Sequence, residues 1–214
     1  NKNPDLLIVG AGPVGCVIAE RAAKINKWSS LIVEKRNHIA GNCYDEINKK
    51  GLRIHKYGPH YMRFKKRKIF NYVSQFTKWI KGDYIVKSSI NGQLYPIPIN
   101  LDTLEKFFKK KFKTKKEAKK FIDTLRIKKK KINNSEDFIL SKLGKEIYEN
   151  FYKNYTIKQW GIHPKKLNKS VVGRLPIRFN RDPYYVSQKL KVMPKKGYTK
   201  LFENMTKDKK IEIL

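Results

Sequence analysis

The sequence has few cysteines, few acidic residues and no long apolar run. Only two cysteines occur among 214 residues, Cys16 and Cys43, so we expect free thiols in a reducing compartment and no disulfide framework. No apolar stretch approaches the roughly 18 residues of a membrane helix. The N-terminus also lacks a basic region followed by a long apolar segment. We therefore expect neither a membrane span nor a secretory signal, and a cytoplasmic location.

Acidic residues are scarce relative to basic ones, at 18 against 50, which gives a net charge of +32. Such a charge makes nucleic acid or an anionic surface a possible partner. However, the densest lysine runs, 109–120 and 128–131, fall on the expected solvent faces of helices. The chain is also rich in Asn and Ile, as a biased genome would produce. These features favour a solvated surface over a dedicated nucleic-acid site.

Several catalytic signatures are missing. The four histidines have no cysteine or acidic partners at metal-ligand spacing, so we expect no metal site. There is no G-x-S-x-G motif and no P-loop lysine, which leaves Ser-His-Asp catalysis and P-loop phosphate binding without support. Hydrophobic residues at 40% and aromatic residues at 12% nevertheless predict a globular protein with a true core.

The most informative segment is 6–15, Leu-Leu-Ile-Val-Gly-Ala-Gly-Pro-Val-Gly, which predicts a strand, a glycine turn and the start of a helix. Gly10, Gly12 and Gly15 suit a tight turn, close approach to a pyrophosphate and close helix–strand packing. A second apolar run then ends at Glu34, where a carboxylate can accept from a ribose hydroxyl. A βαβ unit with chance glycines is the alternative, but the order of these features favours a dinucleotide site.

Periodicity and turn signals predict the remaining elements. Asn91-Gly92 indicates a hairpin between strands 84–90 and 93–97, and 102–105 and 114–117 resemble helix capping boxes. The predicted elements are a short strand with a turn over 52–60, a helix over 66–79, helices beginning at Asp102, Thr114 and Ser135, a helix over 145–155, an extended segment over 174–179, a helix over 197–205 and a strand from Ile211.

Three groups of residues could carry chemistry, and each has a structural alternative. His60 follows Gly58-Pro59 on a fixed turn and could face a cofactor, although a lone histidine is more often structural. Phe151, Tyr155 and Trp160 could stack on a nucleobase, or they could simply pack in the core. Arg174, together with Arg178, could grip a diphosphate or lie on an ordinary strand surface.

Taken together, the motifs resemble the UDP-galactopyranose mutase family. The segments that carry the resemblance run along the whole chain in order and spacing: 9–15, 33–42, 55–60, 155–161, 174–178 and 197–201. The glycine motif is shared by many Rossmann proteins, whereas the combination is specific.

The resemblance implies an α/β fold, with a Rossmann-type FAD-binding domain, an inserted helical domain and a small antiparallel β-sheet. The corresponding domain limits are 1–82, 83–100, 101–170, 171–196 and 197–214, with the last segment returning to the FAD-binding domain. The family's chains continue past Leu214, and this one begins at Asn1, so we expect an N-terminal fragment with an incomplete FAD-binding domain.

The resemblance also implies an activity, the interconversion of UDP-galactopyranose and UDP-galactofuranose for cell-surface glycans. In that family, N5 of reduced FAD attacks the anomeric carbon and displaces UDP, and the sugar opens and recloses as the furanose. A cytoplasmic homodimer is expected. The alternatives are a mutase for another nucleotide sugar, an FAD-dependent amine-oxidase-like enzyme and a basic nucleic-acid-binding protein.

Site residues follow from the same resemblance. The cofactor-binding residues are expected to be Gly10, Gly12, Val14, Gly15, Glu34, Lys35, Arg36, Gly41, Asn42, Gly58, His60 and Tyr61. The substrate-binding residues are expected to be Phe151, Tyr155, Trp160, Arg174 and Tyr185, with His60 and Arg174 as the catalytic candidates. Two positions depart from the family: Arg63 stands where a second histidine is usual, and Ala40 replaces a common glycine.

Overall fold

A computed structural model describes residues 3–82, 84–185 and 190–214. The chain divides into two compact units. The first joins Asn1–Asp83 with Gln188–Leu214, and the second is the continuous segment Tyr84–Ser187.

The secondary structure is mixed α/β, with short strands. The strands are β1 Leu6–Val9, β2 Ser30–Val33, β3 Asp45–Ile47, β4 Arg53–His55, β5 Met62–Arg63, β6 Trp79–Lys81, β7 Val86–Ile90, β8 Gln93–Ile97, β9 Lys191–Pro194 and β10 Ile211–Ile213. The helices are α1 Pro13–Arg21, α2 Arg67–Val73, α3 Leu101–Phe108, α4 Lys115–Leu125, α5 Ser135–Leu143, α6 Lys145–Ile147, α7 Asn154–Trp160, α8 Ser170–Gly173 and α9 Tyr198–Met205. Single π or 3₁₀ turns occupy Ala22–Asn26, Gly41–Cys43, Tyr148–Lys153 and Pro164–Lys166.

The first unit is built on a parallel sheet with the strand order β1-β2-β10. Leu7 pairs with Leu31 on one side, and Glu212 pairs with Leu31 on the other. Helix α1 links β1 to β2 and begins with Pro13 at a position where a missing N–H costs nothing. The predicted strand–glycine turn–helix–strand order and the return of the last strand to this sheet are confirmed.

Two smaller antiparallel sheets complete the first unit, β3-β4 and β5-β9-β6. The prediction of one helix over 66–79 is wrong, because α2 ends at Val73 and Trp79 begins β6. The Trp79 ring packs on Phe70 and Phe64 at centroid distances of 5.9 and 5.5 Å. Its indole N–H donates to the Ser74 hydroxyl at 2.8 Å. These contacts and pairing with β9 override the helical periodicity.

Helices α1 and α9 share the larger core of the first unit. Buried apolar side chains from both helices meet there: Cys16, Tyr198, Leu201, Phe202 and Met205. A second, smaller cluster lies between α1 and the parallel sheet and contains Ile8, Ala11, Ala19 and Ile32. Helix α1 is thus fixed on two sides, and this holds the glycine turn at its N-terminus.

The second unit opens with the β7–β8 hairpin, whose predicted Asn91-Gly92 turn is confirmed. Both turn residues have positive φ, 50° and 76°. Helices α3 to α6, the π segment Tyr148–Lys153 and α8 then surround one apolar core, which contains Ile99, Leu104, Ile122, Ile139, Leu143, Ile147 and Phe151 among others.

Two of the predicted helix caps in this unit shift along the chain. Asn100, not Asp102, caps α3, because its side-chain oxygen accepts the Thr103 N–H at 2.9 Å. Asn134, not Ser135, caps α5 in the same way. Thr114 caps α4 as predicted, and it accepts the Glu117 N–H at 3.1 Å.

The helix predicted over 145–155 is longer, and part of it is π-helical. It runs through α6, the π segment Tyr148–Lys153 and α7 as far as Trp160, and Gly161 ends it at a φ of 66°. The extended segment predicted over 174–179 does not form a strand, since α8 occupies Ser170–Gly173 and irregular chain follows it. Two backbone hydrogen bonds join this segment to the start of α3: the Arg178 N–H donates to the Ile99 carbonyl and the Leu101 N–H donates to the Asn180 carbonyl, both at 2.9 Å.

Candidate functional site

The candidate residues form one group in each unit, and each group is described by itself. In the first unit the group surrounds the turn between β1 and α1. Gly10 adopts a φ of +98° and donates its N–H to the Val33 carbonyl at 2.8 Å, which ties the turn to β2. A side chain at Gly15 would place its β-carbon 2.1 Å from the Gly10 carbonyl oxygen. Both glycines are therefore required by the backbone, as the motif predicts.

Glu34 lies at the end of β2 and reaches back to this turn. One carboxylate oxygen accepts the Ala11 N–H at 2.7 Å, and the other accepts the Arg36 N–H at 3.0 Å. The Arg36 N–H lowers the pKa of Glu34 below its ordinary value, and the Ala11 N–H adds to this against the opposing effect of burial. A carboxylate offers about four acceptor positions, so a pair of ribose hydroxyls can still bind.

The loop that follows Glu34 folds over the turn. The Arg36 guanidinium donates to the Asn42 side-chain oxygen at 3.0 Å and lies 4.6 Å over the Tyr57 ring. A β-carbon on Gly41 would lie 3.1 Å from the Gly12 α-carbon, so these two backbone segments are in close contact. The structure thus brings most of the expected cofactor residues together. Lys35 is exposed beside them.

This arrangement fits the diphosphate and ribose of a dinucleotide. Gly12 caps α1 without a side-chain hydrogen bond, and the first turn of α1 carries no acidic residue. Val14, next to it, is 72% exposed. The Gly10 and Ala11 N–H groups are bonded to Val33 and Glu34, whereas the positive end of the helix dipole at Gly12 and Val14 is open to an anion. The Glu34 carboxylate lies beside this turn, where the motif predicts an acceptor for ribose.

Cys16 lies in the same turn of α1 but is not a reactive thiol. Burial raises the pKa of Cys16 to about 11. Its Sγ atom donates to the Ala11 carbonyl at 3.3 Å. The helix N-terminus would lower the pKa of an exposed thiol, and here burial outweighs that effect.

His60 is partly buried at the end of the turn that follows β4. Its Nδ1 atom lies 2.7 Å from the Gly58 carbonyl oxygen, and Gly58 has a φ of +99°. Tyr61, the other expected cofactor contact here, immediately precedes β5. Arg63, at the position of the usual family histidine, lies exposed on β5 and pairs with Lys191 across the strands.

In the second unit, three expected substrate residues line one cavity of about 350 Å³: Phe151, Tyr155 and Tyr185. Tyr155 is 52% exposed and can present a ring face, whereas Phe151 is buried edge-to-face against Tyr95 and Phe107. Phe151 is therefore a core residue that also forms part of the cavity wall, and its stacking on a nucleobase stays a prediction.

Other lining residues were not identified from the sequence. Tyr152, Leu175, Lys87 and Lys158 also line the cavity, as do Ser88 and Ser89 of β7. The π-helical segment inserts an extra residue per turn, so Phe151 and Tyr152 both reach the cavity that Tyr155 lines one turn later. The π-bulge leaves no local sequence signal, and the β7 side of the cavity depends on tertiary contacts.

Trp160 and Arg174 form a separate pair at the end of α7. The Arg174 guanidinium lies 5.9 Å from the centre of the Trp160 ring and donates to the Gln159 side-chain oxygen at 3.3 Å. Neither residue lines the 350 Å³ cavity. Arg174 follows α8 and does not lie on a strand, contrary to the sequence interpretation.

Neither a metal-ion cluster nor a membrane-spanning helix occurs in the part of the chain that the structure describes. Within residues 3–82, 84–185 and 190–214, no group of three or more His, Cys, Asp or Glu side chains could hold a metal ion. Over the same parts of the chain, no helix has the length and apolar character needed to cross a membrane.

The fold and the glycine turn define a mixed α/β protein with a Rossmann-like domain. A family model described as an NAD(P)-binding Rossmann-like domain matches residues 8–76, and a second, described as UDP-galactopyranose mutase, matches residues 150–214. The crystal structure of a reduced UDP-galactopyranose mutase superposes with a TM-score of 0.68 at 14% identity, covering 99% of this chain and 48% of that one. The crystal structure of a putative protoporphyrinogen oxidase from Exiguobacterium sp. 255-15 shares the fold with a TM-score of 0.53 at 16% identity, covering 98% of this chain and 51% of that one.

Curated relatives match nearly the whole chain. It is 38% identical to a probable UDP-galactopyranose mutase of Klebsiella pneumoniae, over 99% of this chain and 55% of that protein. It is 36% identical to a dTDP-fucopyranose mutase of Escherichia coli, over 97% of this chain and 55% of that protein. A UDP-galactopyranose mutase of Mycoplasma genitalium is 31% identical, over 98% of this chain and 53% of that protein.

The chain is related to the UDP-galactopyranose mutases along nearly its whole length, which confirms the resemblance seen in its motifs. It spans about half the length of the curated relatives that it matches.

Proposed function

We propose that the protein binds FAD and interconverts UDP-galactopyranose and UDP-galactofuranose, supplying galactofuranose for cell-surface glycans. The observation that carries the proposal is the presence in one chain of two sites. One is a glycine turn open to a diphosphate with Glu34 beside it, and the other is a cationic cavity lined by aromatic rings. We further propose that it works as a cytoplasmic homodimer.

In the first unit, the backbone N–H groups around Gly12 and Val14 would bind the FAD pyrophosphate, and Glu34 would accept from the adenosine ribose. Arg36 and Asn42 form a hydrogen-bonded pair that would close over the cofactor. His60 would lie beside the flavin, with its ring held by the Gly58 carbonyl.

In the second unit, Tyr155 would stack on the uracil ring, because it offers a large exposed face at the cavity. Lys87 and Lys158 would attract the diphosphate, and Arg174 would approach it from the adjacent pair with Trp160. Tyr185 would contact the sugar side of the substrate.

When bound and reduced, FAD supplies a nucleophilic nitrogen for reaction at the anomeric carbon. The protein's own residues would bind and orient the substrate: the cavity holds the nucleotide, and cationic side chains offset the negative charge on the departing diphosphate.

A mutase for another nucleotide sugar is the second candidate, and the dTDP-fucopyranose mutase relative favours it. Aromatic stacking does not distinguish uracil from thymine, because both bases present a similar ring face. The lining of the cavity is therefore compatible with either nucleotide.

The test uses the full-length protein as expressed from its own gene. It is incubated with UDP-galactofuranose or dTDP-fucofuranose, with and without dithionite, and pyranose formation is followed by chromatography. Dithionite-dependent conversion of the UDP-sugar supports the first proposal, and conversion of only the dTDP-sugar supports the second. A protein that carries FAD but converts neither contradicts both, and a colourless protein contradicts the flavin assignment as well.

A matched pair of variants tests the nucleotide pocket. Tyr155→Ala should raise KM about ten- to a hundredfold, the range expected for loss of one base-stacking ring. Asn154→Ala changes an exposed neighbour on the same helix that does not line the cavity, and it should leave KM unchanged. Equal effects of the two substitutions would remove Tyr155 from the substrate site.

A further inference from the structure

A network around His60 links it to residues that the proposed function does not use. The His60 backbone N–H donates to the Nδ1 atom of the His55 ring at 3.1 Å. The Gly58 N–H donates to the His55 carbonyl at 3.3 Å, so the side chain and the backbone of His55 both close the same turn. The two imidazole rings lie nearly parallel at 6.5 Å, and the Tyr198 ring packs with its edge against both.

The partners fix which nitrogen of each ring carries the proton. A backbone N–H can only donate, so Nδ1 of His55 must accept and, in the neutral ring, its proton lies on Nε2. A carbonyl can only accept, so Nδ1 of His60 must donate to Gly58 at 2.7 Å. The two adjacent histidines therefore hold opposite tautomers, and the neutral His60 ring presents an unprotonated Nε2.

We propose that His55 is a positioning residue for His60: its Nδ1 atom accepts the His60 N–H and holds the 55–60 turn in the one conformation that fixes the His60 tautomer. The inference rests on the proposed function in one respect, namely that His60 is the residue beside the flavin. The proton positions themselves require neither flavin nor substrate.

Protonation of His55 would break the contact, because Nδ1–H would then face the His60 N–H. Burial lowers the pKa of His55 below its ordinary value of 6.5, the attraction of Asp45 opposes this, and His60 and Arg53 add to the lowering. Other polar and charged groups that line the adjoining cavity are Lys195 and Tyr198. The neutral, accepting form of His55 is thus present at neutral pH and is lost on acidification.

Two amide substitutions separate positioning from simple packing. In His55→Asn, the side-chain oxygen can occupy the place of Nδ1 and accept the same N–H without titrating. In His55→Gln, the amide group lies one bond further out, near the place of Nε2, and the His60 N–H loses its acceptor. Both variants are polar and smaller than or similar in size to histidine, so lost packing alone would affect them alike.

The measurement is the ¹⁵N spectrum of the histidine rings in full-length protein labelled on histidine, with His60 assigned from a His60→Asn sample. We expect the Nδ1–H tautomer of His60 in the wild type and in His55→Asn, and a shift of about fivefold in the tautomer ratio in His55→Gln. Protonation of the His55 ring on acidification should remove the wild-type His60 pattern, and His55→Asn, which has no titrating group at position 55, should not show that change.

A wild-type tautomer in His55→Gln, or the same pH dependence in the wild type and His55→Asn, would overturn the proposal. Circular dichroism and the urea midpoint identify a variant that fails to fold. If His55→Gln does not fold, the comparison between the wild type and His55→Asn still decides. Because activity is not measured, failure here is distinct from failure of the mutase assignment.

Discussion

Gly15 shows how a single hydrogen atom in place of a side chain sets the geometry of the turn between β1 and α1. A β-carbon there would lie 2.1 Å from the Gly10 carbonyl oxygen and 3.2 Å from a methyl group of Ile8. Because backbone is the obstacle, α1 would have to move off β1. We expect Gly15→Ala to lower the free energy of unfolding by about 1–3 kcal/mol or more, measured by urea titration.

Gly12→Ala is the matched control for that substitution. A β-carbon at Gly12 meets only the Gly41 α-carbon at an ordinary 3.9 Å. Its unfolding free energy should therefore stay close to that of the wild type, while any bound nucleotide loses close approach to the backbone. Equal destabilisation by both substitutions would show that Gly15 is not specifically constrained.

Glu20 links residue chemistry to the pH dependence of stability. Its buried carboxylate accepts from Arg21 and, at 2.8 Å, from the Tyr72 hydroxyl. Burial raises the pKa of Glu20, but these hydrogen bonds outweigh it and the net direction is downward from 4.5. The stabilisation is therefore complete well above pH 4.5 and is lost as pH falls through the lower folded-state value.

We expect Glu20→Gln to have a lower urea midpoint than the wild type at pH 7. The difference between the two midpoints should shrink as the pH is lowered below 4.5. Glu203→Gln removes a carboxylate from an exposed pair with Lys200 and should show little effect at either pH. If the urea midpoint of Glu20→Gln were lower than that of the wild type by the same amount at every pH, the ionised Glu20 carboxylate would not be the source of the stability.

At the scale of elements, α9 is capped by a residue from a distant strand. Asp45 on β3 accepts the Tyr198 N–H at 2.7 Å and the Thr199 N–H at 3.1 Å, and it pairs with Arg53 at 3.3 Å. Asp45→Ala leaves these donors without an acceptor and should cost at least about 2 kcal/mol of unfolding free energy. Asp45→Asn keeps one acceptor oxygen and should recover part of the loss. Equal urea midpoints for these two variants would exclude the capping role.

Elements set by local signals could be predicted from the sequence. The glycine turn, the Asn91-Gly92 hairpin and the Thr114 cap each depend on residues within a few positions of one another. The limits of α2 could not be predicted, because packing of Trp79 and pairing of β6 with β9 override its helical pattern. The irregular segment after Gly173 likewise looks extended from its sequence alone.

In the candidate site, too, residues fixed by local sequence signals could be predicted and residues placed by tertiary contacts could not. Glu34 was predictable because the motif fixes its distance along the chain from Gly10. The neighbours of His60 could be predicted only in part, because the Tyr198 ring that packs against His60 comes from an element far away in sequence. The π-helical turn that places Tyr152 beside Phe151 depends on no residue pattern known to specify it.

At the scale of the whole molecule, each unit has its own core and should respond separately to a cavity. Leu143 is fully buried in the second unit and Leu201 in the first. Substitution of either leucine by alanine should cost about 2–5 kcal/mol. We expect hydrogen-exchange protection to fall mainly in the unit that carries the substitution, and uniform loss across both units would show a single cooperative structure.

The net charge of +32 acts on the molecule as a whole and sets its dependence on salt. Every lysine between positions 109 and 131 is exposed, so like charges repel at short range in the folded state. Salt shortens the Debye length from about 30 Å at 0.01 M to about 8 Å at 0.15 M, and the thermal midpoint should therefore rise over that range. Replacing Lys115, Lys116, Lys119 and Lys120 on α4 by glutamine should raise the midpoint at low salt and flatten its salt dependence. Identical salt curves for the two proteins would mean that this helix face contributes no net repulsion, and that its lysines are compensated by neighbouring charges.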